Sequence, residues 1–122
     1  KLQLRLYDES ANTQIGRLYN TALVASTRYF LAATYDGSRA ATGIRLYSAA
    51  ARVDDTNNSS GTYVAMENLA LVTMVGFEIG ASARDNYWNG RQSLLALVGR
   101  EMSINEIWAA KALINSYYGL TL

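Results

Sequence analysis

The fold is decided by residues 29–47, YFLAATYDGSRAATGIRLY. The apolar run over residues 28–35 predicts a strand, and Asp36-Gly37-Ser38 predicts a tight turn because glycine accepts positive φ. Over Gly43–Tyr47 the side chains alternate, with Ile44 and Leu46 on one face, which predicts a second strand. This stretch therefore predicts two strands joined by a tight turn.

Strand patterns continue on both sides of this stretch. Near the start, Leu2, Leu4 and Leu6 alternate with polar or amphipathic residues, residues 8–12 predict a turn, and 15–19 predict a return strand. The eight polar or turn residues of 54–61 predict a loop. Further short strands are predicted at 63–66, 69–73 and 76–79, with a loop at 80–86. Residues 90–98 predict a last strand that is covered on both sides, because both of its faces are apolar.

The end of the chain predicts a helix. Ser103-Ile104-Asn105-Glu106 has the Ser-x-x-Glu capping-box pattern, in which each side chain accepts a hydrogen bond from a free backbone N–H at the helix start. Gly119 predicts the stop. One side of this helix carries Ile107, Ala110, Leu113, Ile114 and Tyr117. Many short strands followed by one helix predict an all-β fold, an antiparallel β-sandwich with a C-terminal α-helix packed on it.

Composition excludes several classes of function. The 122 residues suit a single domain, and a net charge of +1 argues against a nucleic-acid partner. The chain has no Cys and no His, which excludes thiolate nucleophiles, serine triads and Cys- or His-ligated metals. No apolar run approaches the roughly 20 residues that a membrane span needs, so no membrane insertion is expected.

Two groups of residues carry a family resemblance. Residues 29–38 and 43–47 resemble the central hairpin of laminin-G-like, concanavalin A-like jelly-roll domains. Ile79-Gly80, Trp88-Asn89-Gly90-Arg91 and the Glu101–Ile107 segment are similar to the closing pattern of that family. The sequence departs from the pattern after Tyr47, where Ser48-Ala49-Ala50-Ala51 replaces the family's usual Tyr-Val-Asn-Gly turn. The resemblance implies that residues 1–122 form a single jelly-roll domain.

The chain opens in mid-strand without an initiator Met, and we interpret it as the C-terminal fragment of a longer chain. A complete jelly roll normally has more strands before the opening segment. We expect missing N-terminal residues, or a neighbouring chain, to cover the exposed core.

One segment has the residue types that sugar recognition needs. A pyranose binds a flat aromatic ring with its apolar face and binds amide, carboxylate or guanidinium groups with its hydroxyls. These types occur together on a predicted loop, at Arg84, Asp85, Asn86, Tyr87, Trp88 and Asn89. The alternative, which we favour, is structural: Tyr87 and Trp88 begin a strand and anchor the edge of the sandwich.

A second polar segment offers oxygen ligands. Some laminin-G-like domains bind calcium through loop Asp and Asn residues, and Asp54 and Asp55 are the corresponding weak candidates for Ca²⁺ here. The run lacks the spacing of a calcium-binding loop, and a solvated loop is the interpretation we favour. Asp36 could equally be a ligand, but an Asp before Gly in a turn is explained by backbone geometry, which is the interpretation we favour. No other cofactor or metal is expected.

Three functions follow from these observations. The first is a non-catalytic carbohydrate-binding or adhesion module of an extracellular or phage virion structural protein, such as a tail fibre or capsid decoration. Its partners would be a glycan or other virion or extracellular chains, in a homo-oligomeric assembly. The second is a purely architectural virion domain, for which nine Arg and nine Tyr would supply protein–protein contacts. The third, a glycoside hydrolase fragment, needs a pair of close carboxylates, and the chain lacks the Glu-x-Asp-x-x-Glu motif of related glucanases.

Overall fold

The computed structural model describes residues 1–66 and 94–122. The chain divides into two compact units, residues 1–67 with 98–122 and residues 68–97. All described elements belong to the first unit. In chain order they are β1 (Leu2–Asp8), β2 (Thr13–Tyr19), β3 (Leu31–Tyr35), a 3₁₀ turn (Ala41–Gly43), β4 (Ile44–Ser48), β5 (Ala51–Arg52), β6 (Thr56–Asn57) and α1 (Ile104–Tyr118).

The first sheet has the strand order β1-β2-β6, and its strands are antiparallel. The β1–β2 register runs from Leu2 opposite Tyr19 to Asp8 opposite Thr13. Strand β6 approaches β2 closely at Gly16, where an added Cβ would lie 2.8 Å from the carbonyl oxygen of Asn58. This approach is tighter than a side chain tolerates, so the pairing of β6 with β2 requires glycine at that position.

The second sheet has the order β3-β4-β5 and is also antiparallel. Strand β3 pairs with β4 from Leu31 opposite Ser48 to Tyr35 opposite Ile44. Gly37 in the connection has a φ of 80°, as the Asp-Gly-Ser turn predicts. The hairpin β4–β5 closes on the pair Ser48 and Ala51.

Strand β4 contributes to two hydrophobic clusters. Ile44 and Leu46 are fully buried and pack with Ile15 of β2, so the two sheets share one core. Tyr47 points to the opposite face and packs with Ala50 and with Ile107 of the helix. The alternation of side chains along one strand therefore links the first sheet, the second sheet and α1.

Helix α1 begins and ends where the sequence predicts. The Ser103 hydroxyl accepts a hydrogen bond from the Glu106 N–H, and the Glu106 carboxylate accepts one from the Ser103 N–H, so the capping box is complete. Gly119 adopts the left-handed conformation and donates to the Asn115 carbonyl. Of the predicted apolar side, Ile107 is buried, whereas Leu113 and Tyr117 are 71% and 79% exposed. The helix thus packs mainly through its first half.

Some strand predictions were wrong. The predicted loop 54–61 contains β6 and a bridge between Gln14 and Ser60. Residues 63–66 are not a strand, and neither are residues 94–98, where Leu94, Leu95, Leu97 and Val98 are at least half exposed rather than covered. The predicted strand 28–35 begins only at Leu31. The predictions for 69–73, 76–79, 80–86 and 90–93 lie outside the described residues.

At the level of architecture, the described chain is mostly β, with two antiparallel three-stranded sheets and one C-terminal helix packed against the second sheet. This agrees with the predicted fold class at that level. None of the helices in residues 1–66 and 94–122 is long and apolar enough to cross a membrane.

Candidate functional site

The residues predicted to bind sugar, Arg84 to Asn89, lie outside the described residues. Their role stays a prediction. The described residues nevertheless contain clusters of polar side chains and surface clefts.

Asp54 is the most heavily bonded carboxylate in the described part of the chain. Its side chain has no exposed surface and accepts hydrogen bonds from Arg52 Nε at 2.8 Å, Arg17 Nε at 3.1 Å and the Leu46 N–H at 3.1 Å. Burial acts to raise the pKa of Asp54, but the hydrogen bonds from Arg52, Leu46 and Arg17 lower it to about 2. This geometry joins β2, β4 and β5 at one carboxylate.

The same contacts bear on the calcium hypothesis. Both Asp54 oxygens already face guanidinium groups, and Asp55 accepts hydrogen bonds from the Asn20 N–H and the Thr56 hydroxyl. In residues 1–66 and 94–122 no group of three acidic side chains is placed to hold a metal ion. The two aspartates therefore act in this geometry as hydrogen-bond acceptors that fix the backbone, and calcium binding there stays a prediction without structural support.

Asp36 acts within its own turn. It accepts a hydrogen bond from the Ser38 N–H at 2.9 Å, and the side-chain and backbone hydrogen bonds of Ser38 lower its pKa. Gly43 packs directly against the Asp36 and Ser38 side chains and leaves no room for a Cβ. The turn interpretation of Asp36 agrees with this geometry.

A surface cleft of about 460 Å³ lies between the β4–β5 turn and α1. It is lined by Ala49, Ala50, Ala51, Trp108, Lys111, Ala112 and Asn115. The Trp108 side chain is 56% exposed, and its indole N–H donates to the Ala50 carbonyl at 3.0 Å. An aromatic ring that is fixed by one edge and open to solvent is suited to stacking against a flat apolar surface.

The wall of this cleft is an unusual turn. Ala49 and Ala50 both have left-handed backbones, with φ of 50° and 67°, although alanine lacks glycine's freedom there. Their carbonyls accept hydrogen bonds from helix side chains: Lys111 Nζ binds Ala49 at 3.3 Å, and Trp108 binds Ala50. The Ala49 N–H donates to the Phe30 carbonyl at 2.9 Å. Groups that are distant in sequence therefore stabilise this turn, and the turn forms one wall of the cleft.

Sequence reasoning missed this site. Trp108 does not lie on the apolar side Ile107, Ala110, Leu113, Ile114 and Tyr117, and a tryptophan off that side was the available signal. Lys111 is one of only two lysines in the chain. The turn itself gives no signal, because its two left-handed positions hold alanine rather than Gly, Asn or Asp.

A second cleft, of about 440 Å³, lies at the start of the helix. Its charged residues are paired: Arg45 binds Glu101, and Glu106 binds Arg100. The hydrogen bonds from Arg100, together with those from Ser103, lower the pKa of Glu106 to about 2. These ion pairs hold the segment that leads into α1 and leave no carboxylate of this cleft without a cation.

Comparisons of the chain with family models, with curated proteins and with solved structures returned no match. The resemblance to laminin-G-like domains therefore rests on the residues quoted for it above.

Proposed function

We propose that this chain is a non-catalytic carbohydrate-binding module of a structural protein outside the cell or on a virion, such as a tail fibre or capsid decoration. The observation that carries the proposal is the Trp108 cleft. It combines a fixed, exposed indole with the polar groups of Lys111 and Asn115 on one shallow surface. A saccharide needs this combination of a stacking surface and adjacent hydrogen-bonding groups.

The proposed fold is a concanavalin A-like jelly-roll sandwich. Two antiparallel sheets that share the cluster of Ile15, Ile44 and Leu46 support a sandwich. The resemblance of residues 29–47 to the central hairpin of the family supports its jelly-roll form. In such a sandwich the Trp108 cleft would lie on the face of the second sheet that carries the helix.

The non-catalytic role is supported by the state of the carboxylates. A glycosidase needs a general acid whose pKa is raised, beside a second carboxylate. The described carboxyl groups with a shifted pKa, Asp8, Asp36, Asp54 and Glu106, are all shifted downward by hydrogen bonds and are ionised at neutral pH. Each is occupied in binding the protein's own backbone or arginines.

The test is saccharide binding by the whole chain, first on a glycan array and then by calorimetric titration of the ligands found. We expect Trp108→Ala to weaken binding by on the order of tenfold, because the stacking surface is lost. Trp108→Phe should retain most of the affinity. Tyr117→Ala is the matched control, since Tyr117 is an exposed aromatic on the same helix that does not line the cleft.

The same titration examines the other predicted site. If Trp88→Ala abolishes binding and Trp108→Ala does not, the sugar binds at residues 84–89 rather than at the described cleft. If no saccharide binds to the unmodified chain, the carbohydrate proposal fails. Thermal unfolding of each variant separates a loss of binding from a loss of folding.

A second candidate is a purely architectural domain that contacts copies of itself. The exposed apolar residues Leu113, Tyr117 and Tyr118 on α1 favour it, because large apolar side chains at a surface are enriched at protein interfaces. Light scattering after size exclusion would show an oligomer that Leu113→Glu dissociates. A monomer at all concentrations would contradict this candidate.

A further inference from the structure

The lining of the Trp108 cleft carries one kind of charge. Lys111 is the only ionisable side chain among its seven lining residues, and four of the others are alanines: Ala49, Ala50, Ala51 and Ala112. Within residues 1–66 and 94–122 Lys111 forms no ion pair, and its ammonium binds a backbone carbonyl. The neighbouring cation Arg52 is paired with Asp54. Among the described residues, the positive charge of Lys111 at this cleft therefore has no ion-pair partner.

The hydrogen-bonding groups of the cleft are mostly donors. The carbonyls of Ala49 and Ala50 are already engaged by Lys111 and Trp108. The Asn115 side-chain oxygen accepts a hydrogen bond from the Leu122 N–H at 3.3 Å, which leaves its amide NH₂ for a ligand. The Lys111 ammonium has three N–H donors, of which the Ala49 carbonyl takes one. A ligand at this surface would meet N–H groups and few acceptors.

From the charge and the donors together we infer that the ligand of this cleft is an acidic saccharide. Its carboxylate would bind Lys111 Nζ and the Asn115 amide, while one face of its ring would stack on the Trp108 indole. This inference rests on the proposed carbohydrate-binding function and specifies the class of sugar.

The test compares ligands that differ in charge and little else. The probes are a galacturonate tetramer and the same tetramer with methyl-esterified carboxylates, together with 3′-sialyllactose and the methyl ester of its sialic acid carboxylate. We expect each acidic member to bind about 3- to 5-fold more tightly than its neutral partner, the size of one exposed ion pair. The preference should shrink as salt concentration rises, because exposed charges are screened.

Variants of Lys111 locate the preference. Lys111→Met should remove the acidic preference and leave the weaker neutral binding, whereas Lys111→Arg should keep it because the charge is retained. Arg100→Met is the control, since Arg100 is an exposed cation that does not line the cleft. All variants are compared by thermal unfolding, so that a folding defect is recognised.

Three results are distinguishable. Tighter binding of the acidic probes that depends on Lys111 supports the inference. Equal binding of acidic and neutral probes, with loss in Trp108→Ala, overturns the acidic preference and leaves the proposed function standing. An absence of binding to all four probes and to the array overturns both.

Discussion

The β1–β2 and β4–β5 hairpins each contain left-handed residues in the turn, and different contacts stabilise the two turns. In the β1–β2 hairpin, local residues stabilise the turn: the Asp8 carboxylate accepts hydrogen bonds from the Ser10 hydroxyl and the Ala11 N–H, each at 3.1 Å. Asn12, which tolerates the left-handed conformation, has a φ of 51°. In the β4–β5 hairpin, two alanines take that conformation and the bonding groups come from Phe30, Trp108 and Lys111.

The first turn is stabilised by residues next to it in sequence, whereas the second turn is stabilised by contacts that exist only in the folded chain. The Ser10 and Ala11 donors of the first turn lie within the hairpin itself. The second turn is strained on its own, and the hydrogen bonds of α1 and of Phe30, which precedes β3, offset the strain. Variants in and beside the two hairpins test this contrast.

The largest effect is expected at the end of the β4–β5 hairpin. Asp54→Ala should lower the free energy of unfolding by about 3 kcal/mol, because it leaves the partly buried Arg17 without its partner and the Leu46 N–H without an acceptor. Urea unfolding followed by circular dichroism measures this. Asp55→Ala is the control, since Asp55 is exposed, and we expect a loss below about 1 kcal/mol. Equal losses in the two variants would contradict the role given to Asp54.

The Asp54 carboxylate should also make the free energy of unfolding depend on pH. Its folded pKa of about 2 lies below the ordinary value of 3.8, so its contribution is fully present above pH 4 and is lost as pH falls toward 2. The shift corresponds to about 2 kcal/mol. Unfolding curves at pH 7, 4, 3 and 2 measure it. Asp54→Asn should flatten the part of the decline that belongs to this group, and an unchanged profile in Asp54→Asn would refute the assignment.

In the β1–β2 hairpin, Asp8→Ala should cost about 1.5 kcal/mol, because several hydrogen-bond donors lose one acceptor. Beside the two donors of the turn, these are the Val64 and Ala65 N–H groups, at 3.3 and 3.4 Å. Chemical unfolding measures the loss. Glu9→Ala, on the exposed neighbour, should change stability by less than about 0.5 kcal/mol. A similar cost for Glu9→Ala would show that the turn does not depend on Asp8.

The smallest expected effect is a gain in stability rather than a loss. Ala49→Gly should stabilise the chain by about 0.5–1 kcal/mol, because Ala49 is exposed and glycine accepts the left-handed backbone that alanine resists. Asn12→Gly in the other hairpin should give no gain, since asparagine tolerates this conformation and its side chain accepts a hydrogen bond from the Tyr7 hydroxyl. Differential scanning calorimetry can compare the two. A gain in Asn12→Gly that matches the gain in Ala49→Gly would remove the distinction between the turns.

The parts of the fold that sequence predicts are those fixed within a few residues. The capping box at Ser103, the stop at Gly119 and the Asp-Gly-Ser turn each bring their own donors and acceptors. The alternation in β1 and β4 likewise shows which side chains turn to the core. These local rules hold because no distant partner is needed to satisfy them.

The parts of the fold that the sequence did not predict depend on partners far along the chain. The polar run 54–61 contains β6 because β2 offers it backbone partners some forty residues earlier, as in the pairing of Arg17 with Asn57. The apolar residues 94–98 predict a buried strand from hydrophobicity alone, which does not show whether a partner strand is present. At the cleft, the Ala49–Ala50 turn forms through helix side chains about sixty residues away.

The close approach at Gly16 sets a limit on how this chain can be engineered. The segment 54–61 is polar and short of apolar residues, which makes it an attractive place to insert an epitope tag or a fluorophore. Its backbone, however, is bonded to Gln14, Gly16 and Leu18 of the neighbouring strand. An insertion there would break the pairing of β6 with β2 rather than extend a surface loop, and labels would disturb the molecule less if they avoided it.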